Sequence, residues 1–316
     1  MTVRAKRRAG DTGDTGDAWD IGDTGGAVTR VRRRAGAREA AGTAEWRVTL
    51  AGAVTVLAAA NVLNNRIAPR LAPLTSAATT GALLLLARRS GLSWSEMGFG
   101  DRARGLRIGG ALASAVAAVY GVGVAVPATR RFFHDERALG LSRARVIEEA
   151  LLQVPVGTVL LEEVGFRGVL HALVARSHGN VTATALSSAL FGLWHVLPAI
   201  DMMAANPALS RLAAGEAPGN GDGKPSGSGG RERPGIGDGR TSTRETLRGV
   251  AGSVVTTGVA GVFFCELRRR GGLLAPSLFH VATNSLGYLF ARLAGASARP
   301  LTAAAPGNGP VPPARS

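Results

Sequence analysis

Residues 150–167 read ALLQVPVGTVLLEEVGFR: Ala150–Leu161 carry no charge, and the run then meets Glu162, Glu163 and, four positions beyond Glu163, Arg167. Within Ala144–Arg176 this stretch has the apolar length of a membrane span, roughly 17–25 residues, yet it brings two carboxylates and a guanidinium with it. Working outward, six further stretches lack Asp, Glu, Lys and Arg: Val48–Asn65, Leu71–Ala87, Ile108–Thr129, Ser177–Ile200, Gly249–Cys265 and Gly271–Ala291. Helices of a soluble bundle show a charged face at every turn, whereas these runs are apolar all round. The chain therefore reads as all-α, a polytopic membrane helix bundle of about seven transmembrane helices.

The remainder of the 316 residues fits that frame. A formal charge of +15 on a soluble chain would point to nucleic acid, but here the basic residues mostly flank apolar runs, as at membrane boundaries, and no nucleic-acid partner is expected. One cysteine, Cys265, excludes an internal disulfide framework and any multi-cysteine metal site. Residues 1–47 are polar and basic and read as a disordered tail; residues 48–296 form the membrane domain, with a motif core at 146–290. A Gly-rich loop occupies 203–247, its most biased part being Gly215–Gly239, and 297–316 is a second disordered tail. The linker GLSWSEMGFGDRARGL after the second span reads as an interfacial helix, with Leu92, Trp94, Met97 and Phe99 at the lipid boundary. Localisation is expected to be integral and multi-pass, in a bacterial plasma membrane.

Several familiar hydrolytic motifs fail on context. The DTG tripeptides at Asp11–Gly13, Asp14–Gly16 and Asp23–Gly25 lack the apolar strands that flank an aspartic-protease loop. Gly98-Phe99-Gly100-Asp101 matches GxGD, but neither Tyr120 nor Tyr288 is followed by the second aspartate that this chemistry needs. HExxH and GxSxG are absent.

What remains are three polar clusters inside three apolar runs. Glu163 and Arg167 stand four apart and can pair along one helix, which turns Glu162 about 100° away. His195 closes Phe191-Gly-Leu-Trp-His, and His280 and Asn284 project from one face of the last span. An ionisable side chain at the centre of a bilayer costs about 2.5–3.5 kcal/mol, so these groups are expected to meet one another. A carboxylate beside an imidazole can activate water, and a second His with an Asn can donate to an oxyanion. The same Glu162, His195 and His280 can instead ligate one divalent metal such as zinc, and spacing alone does not choose between the two.

Glu162-Glu163-x-x-x-Arg167 followed by Gly168, then Phe191-x-x-x-His195, then His280-x-x-x-Asn284, resemble the three ordered motifs of the CPBP intramembrane proteases. That group holds the CAAX proteases, the bacteriocin-processing proteins and the type II CAAX prenyl endopeptidases. The resemblance covers roughly Val146–Phe290 and implies an intramembrane endopeptidase acting on a peptide or protein substrate within the lipid bilayer. It implies Glu162 as general base, His195 as its water-orienting partner, His280 and Asn284 as oxyanion donors, and Glu163 with Arg167 as their support. Gly165 departs from the pattern, standing where the family commonly has a bulky apolar residue, and is expected to loosen local packing. A catalytically silent membrane binding or immunity protein, and a small-solute transporter with a Glu–His proton relay, are the alternative readings.

Overall fold

The computed structural model describes residues 45–133, 135–205 and 243–297, and all regular secondary structure among them is helical. The expected N-terminal tail as far as residue 44, the Gly-rich stretch Gly215–Gly239 and the tail beyond Ser297 lie outside the described residues.

Uninterrupted apolar sequence yields long helices here, and proline and glycine set their limits. Helix α1 spans Glu45–Ile67, α2 Pro69–Arg89 and α3 Arg102–Ala125. Pro69 opens α2 in its first turn, where a missing N–H leaves no helical bond unmade. From Arg143 the chain is helical as far as Met203, but Gly179 adopts φ 77° and ψ 169°, a conformation that a side chain resists. The break defines α4 as residues 143–178 and α5 as residues 180–194; α6 is Val196–Ala205, α7 Thr243–Gly271 and α8 Leu274–Ser297.

Five segments among the described residues are long and apolar enough to cross a membrane: α1, α2, α3, the run Arg143–Met203, and Thr246–Gly271 of α7. The protein is thus an all-α membrane bundle, as expected, and one of these segments covers two of the apolar runs read from the sequence. The run Arg143–Met203 is divided by the break at Gly179, next to the Ser177 boundary read from the sequence, and α8 is not among the five.

Much of α4 is not α-helical. Glu149–Val159 and Glu163–Leu170 are π-helical, separated by the short α-helical segment Leu160–Glu162, and Pro155 lies inside the first. A change of hydrogen-bonding pattern along one helix needs support from its neighbours, since in a bilayer no water is at hand for its backbone. Three serines from three other helices answer the need. Ser76 of α2 donates to the Gly157 carbonyl (2.5 Å), Ser187 of α5 to Phe166 (2.8 Å) and Ser285 of α8 to Ala150 (2.7 Å). These bonds fix the irregular helix at the centre of the bundle, with Leu57, Leu83, Phe191 and Phe264 in the core it shares with the other helices.

Small residues set the helix spacings. A Cβ on Gly105 of α3 would stand 2.4 Å from the Gly271 carbonyl, and one on Gly192 of α5 2.5 Å from the Val254 carbonyl of α7, so these backbones touch directly. Gly165 does not loosen its surroundings as expected. It is buried, and a Cβ there would lie 2.9 Å from Leu57 Cδ2, so the volume is already filled by α1.

The linker between α2 and α3 also differs from its reading. Residues 94–98 form turns and the linker contains no helix before Arg102, because Gly91, Gly98 and Asp101 all have positive φ. Leu92 and Met97 are fully buried rather than facing lipid, while Trp94 is half exposed.

Candidate active site

Glu162 and Glu163 stand where the short α-helical segment of α4 passes into the second π-helical one, and both carboxylates reach His280 of α8. Glu163 Oε1 lies 2.8 Å from His280 Nδ1, and Glu162 Oε2 lies 3.6 Å from His280 Nε2. The two acids therefore bracket one imidazole from its two nitrogen edges instead of occupying separate faces. The widened turn and the crossing of α8 account for the difference from the sequence expectation. A carboxylate only accepts, so Nδ1 carries a hydrogen toward Glu163, while Nε2 faces Glu162 at a distance beyond a direct hydrogen bond.

Arg167 lies one turn on, fully buried. Its Nη1 is 3.5 Å from Glu163 Oε1, too long for a strong hydrogen bond, and none of its guanidinium nitrogens has a hydrogen-bond partner among the described residues. Two aromatic rings hold it instead: its Cζ sits 3.7 Å from the Phe191 ring centre and 4.7 Å from that of Phe264. A desolvated cation–π contact is worth about 2 kcal/mol or more, enough to retain the cation beside a shared carboxylate. The expected Glu163–Arg167 pair is therefore present but secondary, since Glu163 binds His280 more closely.

Trp194 is the residue the sequence reading missed. Its Nε1–H donates to Glu162 Oε1 at 2.8 Å, leaving Glu162 Oε2 buried and without a donor. Its own carbonyl accepts from Asn61 of α1 at 2.8 Å. The signal lay in plain view, since an indole donor precedes His195 in a run with few other polar groups; its partner on α4 is a matter of packing that spacing does not encode. Phe264 gave no signal at all, because an aromatic residue in a membrane span reads as packing.

His195 follows the end of α5, its Nδ1 2.8 Å from the Phe191 carbonyl and its ring edge-on to Phe191 at 4.6 Å. A carbonyl only accepts, so here too Nδ1 holds the hydrogen. Glu162, Trp194, His195 and Asn284 all line one cavity of about 630 Å³, which also takes in Arg70 of α2 and Arg145 of α4. Asn284 is exposed within it, one helical turn beyond His280. The six residues singled out from sequence thus divide in two: Glu162, His195 and Asn284 on the cavity wall, and Glu163, Arg167 and His280 in a buried cluster joined to Glu162.

Glu162 Oε2 and His280 Nε2 stand at a separation two ligands of one metal can have, but a third is needed. Among the described residues no group of three His, Cys, Asp or Glu side chains is placed to hold a metal ion. The trio Glu162, His195 and His280 does not form a ready shell in this arrangement.

Apolar helices around a buried cluster of carboxylate, imidazole and guanidinium groups define a multi-pass integral membrane protein with a polar site inside its bundle. Residues 149–286, which contain all of that cluster, carry a domain that matches the family model "Rce1-like: Type II CAAX prenyl endopeptidase Rce1-like", consistent with the CPBP family. No curated protein and no solved structure matches the chain. The family supports an intramembrane endopeptidase in general, and hence a peptide or protein substrate.

Proposed function

We propose that the protein hydrolyses a peptide bond at or within the bilayer with a water activated between Glu162 and His280. The observation that carries this reading is the pairing of a donor-free Glu162 Oε2 with His280 Nε2 at 3.6 Å, beside a cavity of about 630 Å³ that Glu162 lines. A water at the apex of that pair accepts no competing role: Glu162 Oε1 is held by Trp194 and His280 Nδ1 by Glu163.

Glu162 takes a proton from the water as its oxygen bonds to the scissile carbonyl carbon. The resulting oxyanion is met by the Asn284 side-chain amide, a neutral donor on the cavity wall. The proton held by Glu162 then passes to the amide nitrogen, the C–N bond breaks, and a carboxylate and an amine leave. Glu163 and Arg167 are positioning residues: Glu163 fixes the tautomer of His280, and Arg167 balances the two carboxylates from its aromatic slot.

This reading moves the water-orienting role from His195, which the family resemblance implied, to His280. Glu162 contacts Trp194 and His280, while His195 turns its Nδ1–H to the Phe191 carbonyl and offers Nε2 to the cavity as an acceptor for a substrate N–H or a second water.

The test is cleavage of a transmembrane reporter peptide by the full chain in liposomes, with product masses read directly. Wild type is expected to cleave at one or a few bonds, with and without a chelator. Loss of activity on chelation that zinc restores would move the chemistry to the metal-assisted alternative, and no cleavage of any peptide in a broad set would count against an enzyme.

A further inference from the structure

Away from that cavity, where the α2–α3 linker meets the start of α5 and the C-terminal end of α7, the structure holds a second polar site. Two adjoining cavities of about 400 and 260 Å³ share His171, Asn180 and Arg268 as walls. His171 is buried, its Nε2 3.4 Å from the Thr184 hydroxyl and its Nδ1 without any partner. Arg268 reaches under the linker, where Nη2 donates to the Glu96 carbonyl at 2.5 Å, while its Nε is buried and equally unpartnered. A buried donor without an acceptor costs about 1–3 kcal/mol; Arg268 Nε–H is one, and His171 Nδ1 is a second when its Nε2 accepts from Thr184, so that together they call for a ligand that accepts.

The surrounding charges fix the sign of that ligand. Glu266, which also lines the larger cavity, is held by Arg269 and Arg270, each at 2.6 Å. Glu96, in the smaller one, is held by Arg176 at 2.7 Å. Asp101 on the rim is the one acid there without an ion pair, while the Arg268 guanidinium faces no carboxylate within salt-bridge distance among the described residues. Basic residues outnumber these acids at this end of the bundle: Arg88 and Arg89 close α2, Arg102, Arg104 and Arg107 open α3, and Arg268–Arg270 close α7. Basic pockets between helices at a membrane boundary suit anionic headgroups.

We propose that this site binds a phosphate group through Arg268, His171, Asn180 and Thr184, the phosphate being that of an anionic lipid headgroup at the bilayer surface. With the Thr184 hydroxyl donating to Nε2, His171 offers Nδ1–H to a phosphate oxygen, Arg268 offers Nε–H, and Asn180 and Thr184 stand at the mouth. A tetrahedral dianion uses such divergent donors better than a planar carboxylate.

Thermal unfolding of the full chain in detergent micelles doped with phosphatidic acid, with phosphatidylcholine, or left undoped with inorganic phosphate in the buffer, tests the proposal. Phosphatidic acid is expected to raise the midpoint where phosphatidylcholine does not, with an apparent affinity about tenfold or more weaker in Arg268→Gln and unchanged in Arg104→Gln, which alters the same basic end outside the cavity. Should Arg268→Gln not fold, Asn180→Ala combined with Thr184→Val, at less buried positions, is expected to weaken binding about threefold or more. Equal protection by inorganic phosphate supports the site and assigns free phosphate as its source. No protection by either probe overturns the proposal, as does protection that Arg104→Gln lowers as much as the cavity variants do.

Discussion

Glu162 and Glu163 are sequence neighbours with different partners, and their amide variants should part company accordingly. Glu163→Gln keeps an oxygen that can accept from His280 Nδ1–H but removes the negative charge that pairs with Arg167, so a buried cation is left under-compensated; breaking a buried pair in this way costs about 3–5 kcal/mol. Thermal unfolding in detergent should show that loss together with reduced cleavage. Trp194→Phe keeps an aromatic ring against Phe166 but deletes the donor to Glu162, so turnover is expected to fall about tenfold with little change in midpoint. An unchanged rate in Trp194→Phe would mean that the indole only packs. At this scale the sequence was legible where polarity is conspicuous: Glu162, Glu163, Arg167, His195, His280 and Asn284 stand out because charges and imidazoles are costly in apolar runs. Which histidine faces which glutamate was not, since it depends on how α8 crosses a π-helical turn, and neither the crossing nor the turn type leaves a mark in residue spacing.

Among the elements, α4 is the one whose irregularity the rest of the bundle accommodates. Ser76→Ala, Ser187→Ala and Ser285→Ala should each lower stability by about 0.5–1.5 kcal/mol, because each removes a buried hydrogen bond to a carbonyl of a π-helical segment. Unfolding curves of the three variants check this, and no change in any of them would show that the carbonyls find other donors. The α2–α3 linker makes a pH prediction. Ser93, through its hydroxyl and its backbone N–H, and then Arg176 hold the Glu96 carboxyl down to about 2 from an ordinary 4.5. The ionised form is thus favoured in the folded linker. Its contribution is fully present above about pH 4.5 and is lost progressively as pH falls toward 2. Hydrogen exchange over residues 92–99, corrected for the intrinsic rate, should stay flat from pH 7 to 4.5 and rise below it in wild type, with that rise absent in Glu96→Gln. A proline and a glycine-rich linker could be seen in sequence, and Pro155 does mark the irregular segment. The interfacial-helix reading of the linker failed because Leu92 and Met97 are as apolar as lipid contacts yet turn inward once Gly91 and Gly98 bend the backbone.

Across the described residues, the bundle is held at close range by glycine contacts and exposes many large apolar side chains, while its ionisable groups sit in the interior cluster, at the basic end and around Arg66 and Arg145. The all-α membrane architecture was legible because apolar runs of this length have few other solutions. The break between two of the runs was legible as well, because Arg176, Ser177, His178 and Asn180 put a short polar interval around Gly179. The account's central claim is that Glu162 is the proton acceptor in peptide-bond hydrolysis, and one measurement tests it most directly: the rate of reporter-peptide cleavage by Glu162→Gln against wild type in the same liposomes, with both unfolding midpoints matched. Glu162→Gln keeps the shape and the Trp194 hydrogen bond but cannot take the proton, so cleavage should fall by about 10²–10⁴-fold at unchanged stability. Cleavage by Glu162→Gln at close to the wild-type rate would contradict the account.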